Sequence, residues 1–249
     1  MNGAAEARGD LRIGCAGWSL ARQYWPEFES EGTHLQRYAS RFNGVEINSS
    51  FYRPHRAQTY ARWAESVPEA FRFAVKIPKQ ITHEHRLADC QLLLDEFLGQ
   101  CTALEDKLGC LLIQLPPSLA FSAQAAEAFF RALRDRFAGH VVLEPRHVSW
   151  NDAQALLLEQ RIARVAADPA PFAGADRPAG WQGLHYWRLH GSPSIYHSAY
   201  AAQFLESVGR SIETAIAQEV PVWGIFDNTA SGAAVGDALS LGRMLHRSE

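Results

Sequence analysis

Residues 44–48 read Gly-Val-Glu-Ile-Asn, and residues 72–76 read Arg-Phe-Ala-Val-Lys. In both stretches large apolar side chains alternate with small or polar ones, the period of a strand whose two faces meet different surroundings. Val45, Ile47, Phe73 and Val75 are expected to face a layer of helices, which leaves Glu46, Asn48 and Lys76 on the opposite face. Charge at the C-terminal end of an otherwise apolar strand suits a barrel, because its lumen opens to ligands at that end.

Working outward, strand-like runs recur at residues 12–16, 44–47, 72–76, 110–114, 141–144, 164–167, 184–189 and 222–226. Helical patterns separate them at 35–42, 59–66, 88–108, 123–137, 152–160, 200–218 and 233–246. This alternation argues for βαβ units and a parallel sheet, and eight strands make the expected fold an α/β protein of the (β/α)8 TIM-barrel type. Residues 168–183 break the rhythm, since Pro169, Pro171, Gly174, Pro178 and Gly180 interrupt any helix. They read as a long loop in place of the sixth helix, an irregularity between strands 6 and 7. The 249 residues suit one such domain: a free tail over 1–9, then a single barrel over 10–249.

Carried around the ring, the same parity points Gln114 inward on strand 4, Glu144 and then Arg146 on strand 5, and Asp168 on strand 6. It points Arg188 and His190 inward on strand 7 and Asn228 on strand 8, and it sends Trp187 and Trp223 toward the helices. Glu46, Lys76, Gln114, Glu144, Arg146, Asp168, Arg188, His190 and Asn228 then form a polar ring at the ligand-binding end.

A net charge of −3 gives the whole chain no attraction for nucleic acid or acidic membranes, so anion binding would need a local cluster of basic groups. Cys15, Cys90, Cys101 and Cys110 contain no CxxC pair and lie among apolar neighbours, which reads as buried thiols in a cytoplasmic protein. No apolar run approaches ~18 residues, so no membrane span is expected. Neither a P-loop, a GxGxxG turn nor a serine nucleophile elbow occurs, and no cofactor is assigned. His83 and His85 form an HxH pair without the spacing of a metal signature; a divalent metal stays open.

Six ordered blocks, IGCAGW (13–18), VEINSSFYR (45–53), FAVKIPKQITHEHRL (73–87), KLGCLLIQLPP (107–117), RLHG (188–191) and FDNTASGAAVGDA (226–238), resemble the YecE-like family, a family of unknown function. The similarity spans nearly the whole chain. It implies a TIM-barrel-like fold and carries no activity with it. The chain departs from the family pattern at Pro145 and Val148, and at Asp227 and Asp237, near the ends of strands 5 and 8.

Three functional readings follow. In the first, an enzyme (a hydrolase, lyase or isomerase) takes a small anionic or sugar-like substrate. Glu46 and Glu144 divide acid and base work, flanking the substrate at roughly the 6.5 to 9.5 Å of inverting glycosidases. Lys76 is a candidate nucleophile or base if desolvation lowers its pKa. Arg146, Arg188 and His190, joined by Arg53 and Lys79 on neighbouring loops, suit a phosphate or carboxylate. Asn48, Gln114, Asp168, Asn228, His83 and Tyr52 complete the ligand-binding set, and Trp18, Tyr24, Trp25, Phe51 and Trp150 could wall the pocket. The second reading is a binding module for a phosphorylated ligand, with a nucleic-acid end less favoured; the third is a metal-assisted hydrolase. Against all three stands a purely structural ring in which acids and bases neutralise each other. The oligomeric state is left open.

Overall fold

The computed structural model describes residues 11–247. The expected tail over 1–9 lies outside the described residues. Ten strands follow in chain order: β1 (Leu11–Cys15), β2 (Gly44–Ile47), β3 (Arg72–Lys76), β4 (Leu108–Gln114), β5 (His140–Glu144), β6 (Ile162–Arg164), β7 (Ala166–Asp168), β8 (Ala179–Gly180), β9 (His185–Leu189) and β10 (Val222–Phe226). The helices are α1 (His34–Ala39), α2 (Ala57–Glu65), α3 (Gln91–Cys101), α4 (Ala123–Arg134), α5 (Gln154–Glu159), α6 (Ala202–Ala217) and α7 (Ala233–Arg247). None is long and apolar enough to cross a membrane.

The strands form two sheets, ordered β1-β10-β9-β7 and β2-β3-β4-β5-β6-β8, parallel throughout except where β8 runs antiparallel to β6. The expected single closed ring of strands is not formed: the sheets are separate, linked by one bridge and by the chain itself. Ala16 and Glu46 form a single parallel bridge between the ends of β1 and β2. At the other seam the chain steps from β6 to β7 through Val165, whose N–H still donates to Leu143 of β5 at 2.9 Å. At the first seam the backbones lie so close that a Cβ on Gly14 would fall 2.0 Å from the Gly44 carbonyl oxygen. The Tyr38 hydroxyl bridges the same pair, accepting from the Cys15 N–H at 2.8 Å and donating to the Gly44 carbonyl at 3.0 Å.

The helices form for local reasons and dock for tertiary ones. Thr33 and Gln36 make a reciprocal capping box on α1. In α4, Ala126, Phe129, Phe130 and Leu133 recur at helical spacing and are buried against the strands. Between strands and helices lies a large apolar core that includes Val45, Ile47, Phe73, Val75, Leu143 and Leu189. A second apolar cluster, with Ala74, Cys110, Leu112, Val142, Ala163, Val165, Tyr186, Trp223 and Ile225, fills the inner face of the strands. The four cysteines are free and buried.

Four further expectations need correction. The strand expected at 164–167 is two short strands that pair with different sheets, β6 with β5 and β7 with β9. The loop at 168–183 contains no helix but does contain β8. The helix expected at 88–108 begins only at Gln91, because Arg86, Leu87 and Asp89 have positive φ, and it gives way after Cys101 to a tighter turn with Glu105 at φ 52. β4 accordingly starts at Leu108.

The fourth concerns parity. Val165 belongs to the inner cluster and Ala166 to the outer core, so strand 6 presents odd residues inward. Strand 8 does the same with Trp223 and Ile225, while Phe226 faces the helices. Space explains the position of Trp223: its ring lies over Gly44 and Gly109, where added Cβ atoms would stand 3.3 and 2.5 Å away, and stacks on Tyr186. Gly224 turns outward instead, within reach of Ile212 and Leu241 on α6 and α7.

Candidate functional site

Above the inner apolar cluster, the ends of β2, β5, β9 and β10 bring five charged side chains into one buried network. Arg188 on β9 is its centre. Its guanidinium meets Glu46 at 2.7 Å, Glu144 at 3.1 Å and Asp227 at 3.0 Å. Glu46 accepts a further hydrogen bond from the Tyr186 hydroxyl at 3.0 Å. Glu144 also faces His190 Nε2 at 2.9 Å and Arg146 at 3.2 Å. His190 Nδ1 faces Asp227 at 3.0 Å. Arg188 and Glu144 are each 1% exposed and Glu46 is 0% exposed.

Burial costs each of these ions its hydration, so the shifts show what outweighs that cost. Burial alone would raise the Glu144 carboxyl, but Arg188, His190 and Arg146 hold it well below the usual carboxylate range. Asp227 is likewise lowered against its burial by Arg188 and His190. Burial would lower His190, yet Glu144 and Asp227 raise it above 6.5, as expected for an imidazolium whose two N–H groups both meet carboxylates.

A raised folded-state pKa stabilises the fold fully below the unfolded value near 6.5 and ceases to do so as pH rises through the folded value. Replacing His190 by Asn is therefore expected to cost most in mildly acidic buffer, with the gap to the parent narrowing as pH rises. Thermal melts across pH measure this. A gap independent of pH would mean that His190 is neutral.

Lys76, at the end of β3, lies beside the network but not in it. It is 5% exposed, and among the described residues its ammonium has no hydrogen-bond acceptor and no ion-pair partner. Its Nζ sits 4.0 Å from the centre of the Phe51 ring. Burial, then the Arg188 charge, push its pKa down to about 8 against the pull of Glu46, Glu144 and Asp227. His83, in a π-helical turn after β3, meets the same Phe51 ring edge-on at 5.0 Å. Its pKa is lowered by burial and by Lys76 and Arg146. Arg146 is partly open to solvent, and Tyr196, from the loop after β9, stands beside its guanidinium and edge-on to His190 at 5.7 Å.

Of the residues singled out from sequence, the structure therefore brings together Glu46, Lys76, Glu144, Arg146, Arg188, His190 and His83. Gln114 is buried at the end of β4, where its side-chain amide donates to the Leu115 carbonyl at 2.7 Å. Asn48 is half-buried after β2, with its side-chain oxygen unpartnered. Asp168 lies outside the network, in a surface groove with Ala170, Phe172, Gly174, Asp176 and Arg177, and burial raises its pKa. Asn228 also lies outside, donating to Asp237 at 2.7 Å and to the Ser198 carbonyl at 2.8 Å.

Arg53, Tyr52 and His85 are exposed, Lys79 pairs with Glu84, Trp18 packs on Trp63, and Trp150 is buried against Phe121 and Phe130. The residues missed were Asp227, hidden by the parity error on strand 8, and Tyr186 and Tyr196. Nor do Glu46 and Glu144 flank an open space: the Arg188 guanidinium fills the gap between them.

The family model described as "Protein of unknown function DUF72" matches residues 12–249. The UPF0759 protein YecE of Escherichia coli (strain K12) is 37% identical over 149 residues, 57% of this chain and 55% of that protein. The UPF0759 protein YunF of Bacillus subtilis (strain 168) is 31% identical over 113 residues, 43% of this chain and 40% of that one. The matched stretches thus take in about half the length of these curated relatives or less. Among solved structures, a DUF72 family protein from Enterococcus faecalis V583 superposes with a TM-score of 0.79 at 23% identity, covering 95% of each chain. One from Thermotoga maritima MSB8 gives 0.76 at 23% identity, covering 95% of this chain and 99% of that one. With the family model extending from β1 through α7, the chain belongs to the DUF72 family of proteins of unknown function.

Proposed function

We propose that this chain holds a small anionic molecule where its parallel strands end, with Lys76 and Arg146 as the groups that receive the negative charge. The observation that carries the reading is a charge count. Glu46, Glu144 and Asp227 supply three negative charges, and the buried Arg188, a protonated His190 and the partly exposed Arg146 paired with Glu144 supply three positive ones. Lys76 is then an unmatched buried cation, an expensive arrangement unless a ligand supplies the counter-charge.

In this reading the two sheets are the two arcs of a (β/α)8 barrel. β6 and β7 share one strand position and β8 is an addition to the β6 edge. The ionic network is the fixed floor of the site, while Lys76, Arg146 and His83 form its reactive rim. Glu46 and Glu144 have their oxygens committed to Arg188, Tyr186, His190 and Arg146, so they set the field rather than exchange protons with a substrate.

Calorimetric titration with oxalate and with inorganic phosphate at low ionic strength tests the proposal. At least one is expected to bind. Its affinity should fall by at least ~10-fold in Arg146→Gln, the worth of one charge-assisted hydrogen bond, and should weaken as pH rises through about 8. Binding of neither anion, or binding indifferent to Arg146→Gln, overturns it.

A further inference from the structure

The chain contains only three lysines among its 24 Lys and Arg residues. Two are accounted for by ordinary contacts. Lys79 pairs with Glu84 at 3.2 Å, and Lys107 donates to the carbonyls of Ala64 and Val67, both at 2.8 Å. Lys76 alone is buried without an acceptor, its Nζ against an aromatic face. Where a fixed positive charge is wanted in this interior, Arg188 supplies it. A guanidinium cannot shed its proton; an ammonium can, and the resulting amine is a nucleophile.

His83 is placed to serve that amine. Both side chains contact Phe51, Lys76 over the face of the ring and His83 with its own ring nearly perpendicular to it. His83 Nδ1 lies 2.8 Å from the Thr82 hydroxyl, which also lies 3.4 Å from the Pro78 carbonyl oxygen. Nε2 has no partner among the described residues, and in the tautomer that donates from Nδ1 to Thr82 it carries the lone pair that a proton transfer uses. Lowered by burial and by Lys76 and Arg146, this ring is neutral near neutral pH and ready to accept a proton.

We propose that Lys76 forms an imine with the carbonyl group of a small carbonyl acid, with His83 moving the protons and Arg146 holding the acidic group. The inference rests on the anion site proposed above and adds the reacting group. The Lys76 ammonium first passes a proton to His83; the amine then bonds to the carbonyl carbon as the C=O π pair passes to oxygen, His83 returns that proton to the oxygen, and the nitrogen gives its surplus proton to His83. His83 then returns its proton to the new hydroxyl. That group leaves as water while the nitrogen lone pair closes the C=N bond. No oxidant or reductant enters. The protonated imine carries the same charge as the ammonium it replaces, within the field of Glu46, Glu144 and Asp227.

The test is borohydride reduction of the full chain in the presence of glyoxylate, followed by peptide mass mapping, alongside oxalate titration of the unreduced protein. The expected result is one reduced adduct on Lys76, formed well ahead of any on Lys79, Lys107 or the α-amine and suppressed by oxalate. Lys76→Arg should leave no adduct at that position, and His83→Gln should slow labelling by at least ~100-fold without abolishing it. If oxalate binds but Lys76 is labelled no faster than Lys79, the imine inference falls and the anion site stands. If neither oxalate nor inorganic phosphate binds, the anion site falls and the imine inference that rests on it falls with it.

Discussion

Replacing Arg188 by Met is expected to destabilise the protein by about 3–5 kcal/mol, the cost of stranding buried charge. This one side chain meets Glu46, Glu144 and Asp227, and it is 1% exposed, so water does not take its place freely. The pH dependence should reverse as well. In the parent, Glu144 and Asp227 titrate below their usual range, so their contribution is present above the unfolded carboxylate pKa and lost as pH falls through the folded values. Without Arg188 their burial raises those pKa values instead, and the variant should be penalised most near neutral pH and least in acid. Urea unfolding at several pH values measures both effects. Adding Glu46→Gln to Arg188→Met should recover part of the loss, because one of the stranded charges is then removed. A single-variant cost below ~1 kcal/mol, the range of solvated surface pairs, would mean that the network is open to water.

Replacing Lys76 by Met is expected to do the opposite, making the protein more stable and less able to bind. A pKa lowered from 10.5 to about 8 means that charging this group costs more in the folded than in the unfolded state. At about 1.4 kcal/mol per pKa unit the penalty is on the order of 3–4 kcal/mol. The sign is that of a base with a depressed folded pKa: the penalty is fully present below about 8 and disappears as pH rises toward 10.5. Lys76→Met should thus melt several degrees above the parent at neutral pH, at roughly 2–4 °C per kcal/mol for a chain of this size. The gap should close in alkaline buffer. Oxalate or phosphate affinity should drop by at least ~10-fold in the same variant. A variant that unfolds more readily than the parent would show that the ammonium has a structural partner and belongs to the neutral network.

These opposite outcomes separate two roles that the amino-acid sequence presents together. On parity alone, Glu46, Lys76, Glu144, Arg146, Arg188 and His190 are equivalent members of a ring. In the structure most of them cancel. Arg188 takes up three carboxylates, whereas Lys76 stands apart against Phe51. Side-chain alternation gives a direction but no distance, so it could not tell a committed carboxylate from an available one.

The same limit explains the errors on strands 6 and 8. Parity holds along a continuous strand in known register. At Val165 the strand breaks between two sheets, and Ala163 and Val165 on either side of that step already face inward, because β6 pairs Ala163 with the inward Val142 of β5. On β10 the choice of face is made by Trp223, whose ring needs the room left by Gly44 and Gly109, residues 179 and 114 positions away in the chain. Asp227 follows Trp223 inward and Asn228 is turned away to Asp237.

By itself, then, the sequence determined the alternation of parallel strands and helices, the membership of a family, and the identity of most charged side chains at the strand ends. These follow from short-range periodicity, which the chain carries locally. Only the tertiary structure decided which of those charges neutralise one another and which is left over. Ion pairing in a buried site depends on ångström distances between strands remote in the chain, and Arg188 reaches Glu46 across 142 residues of sequence.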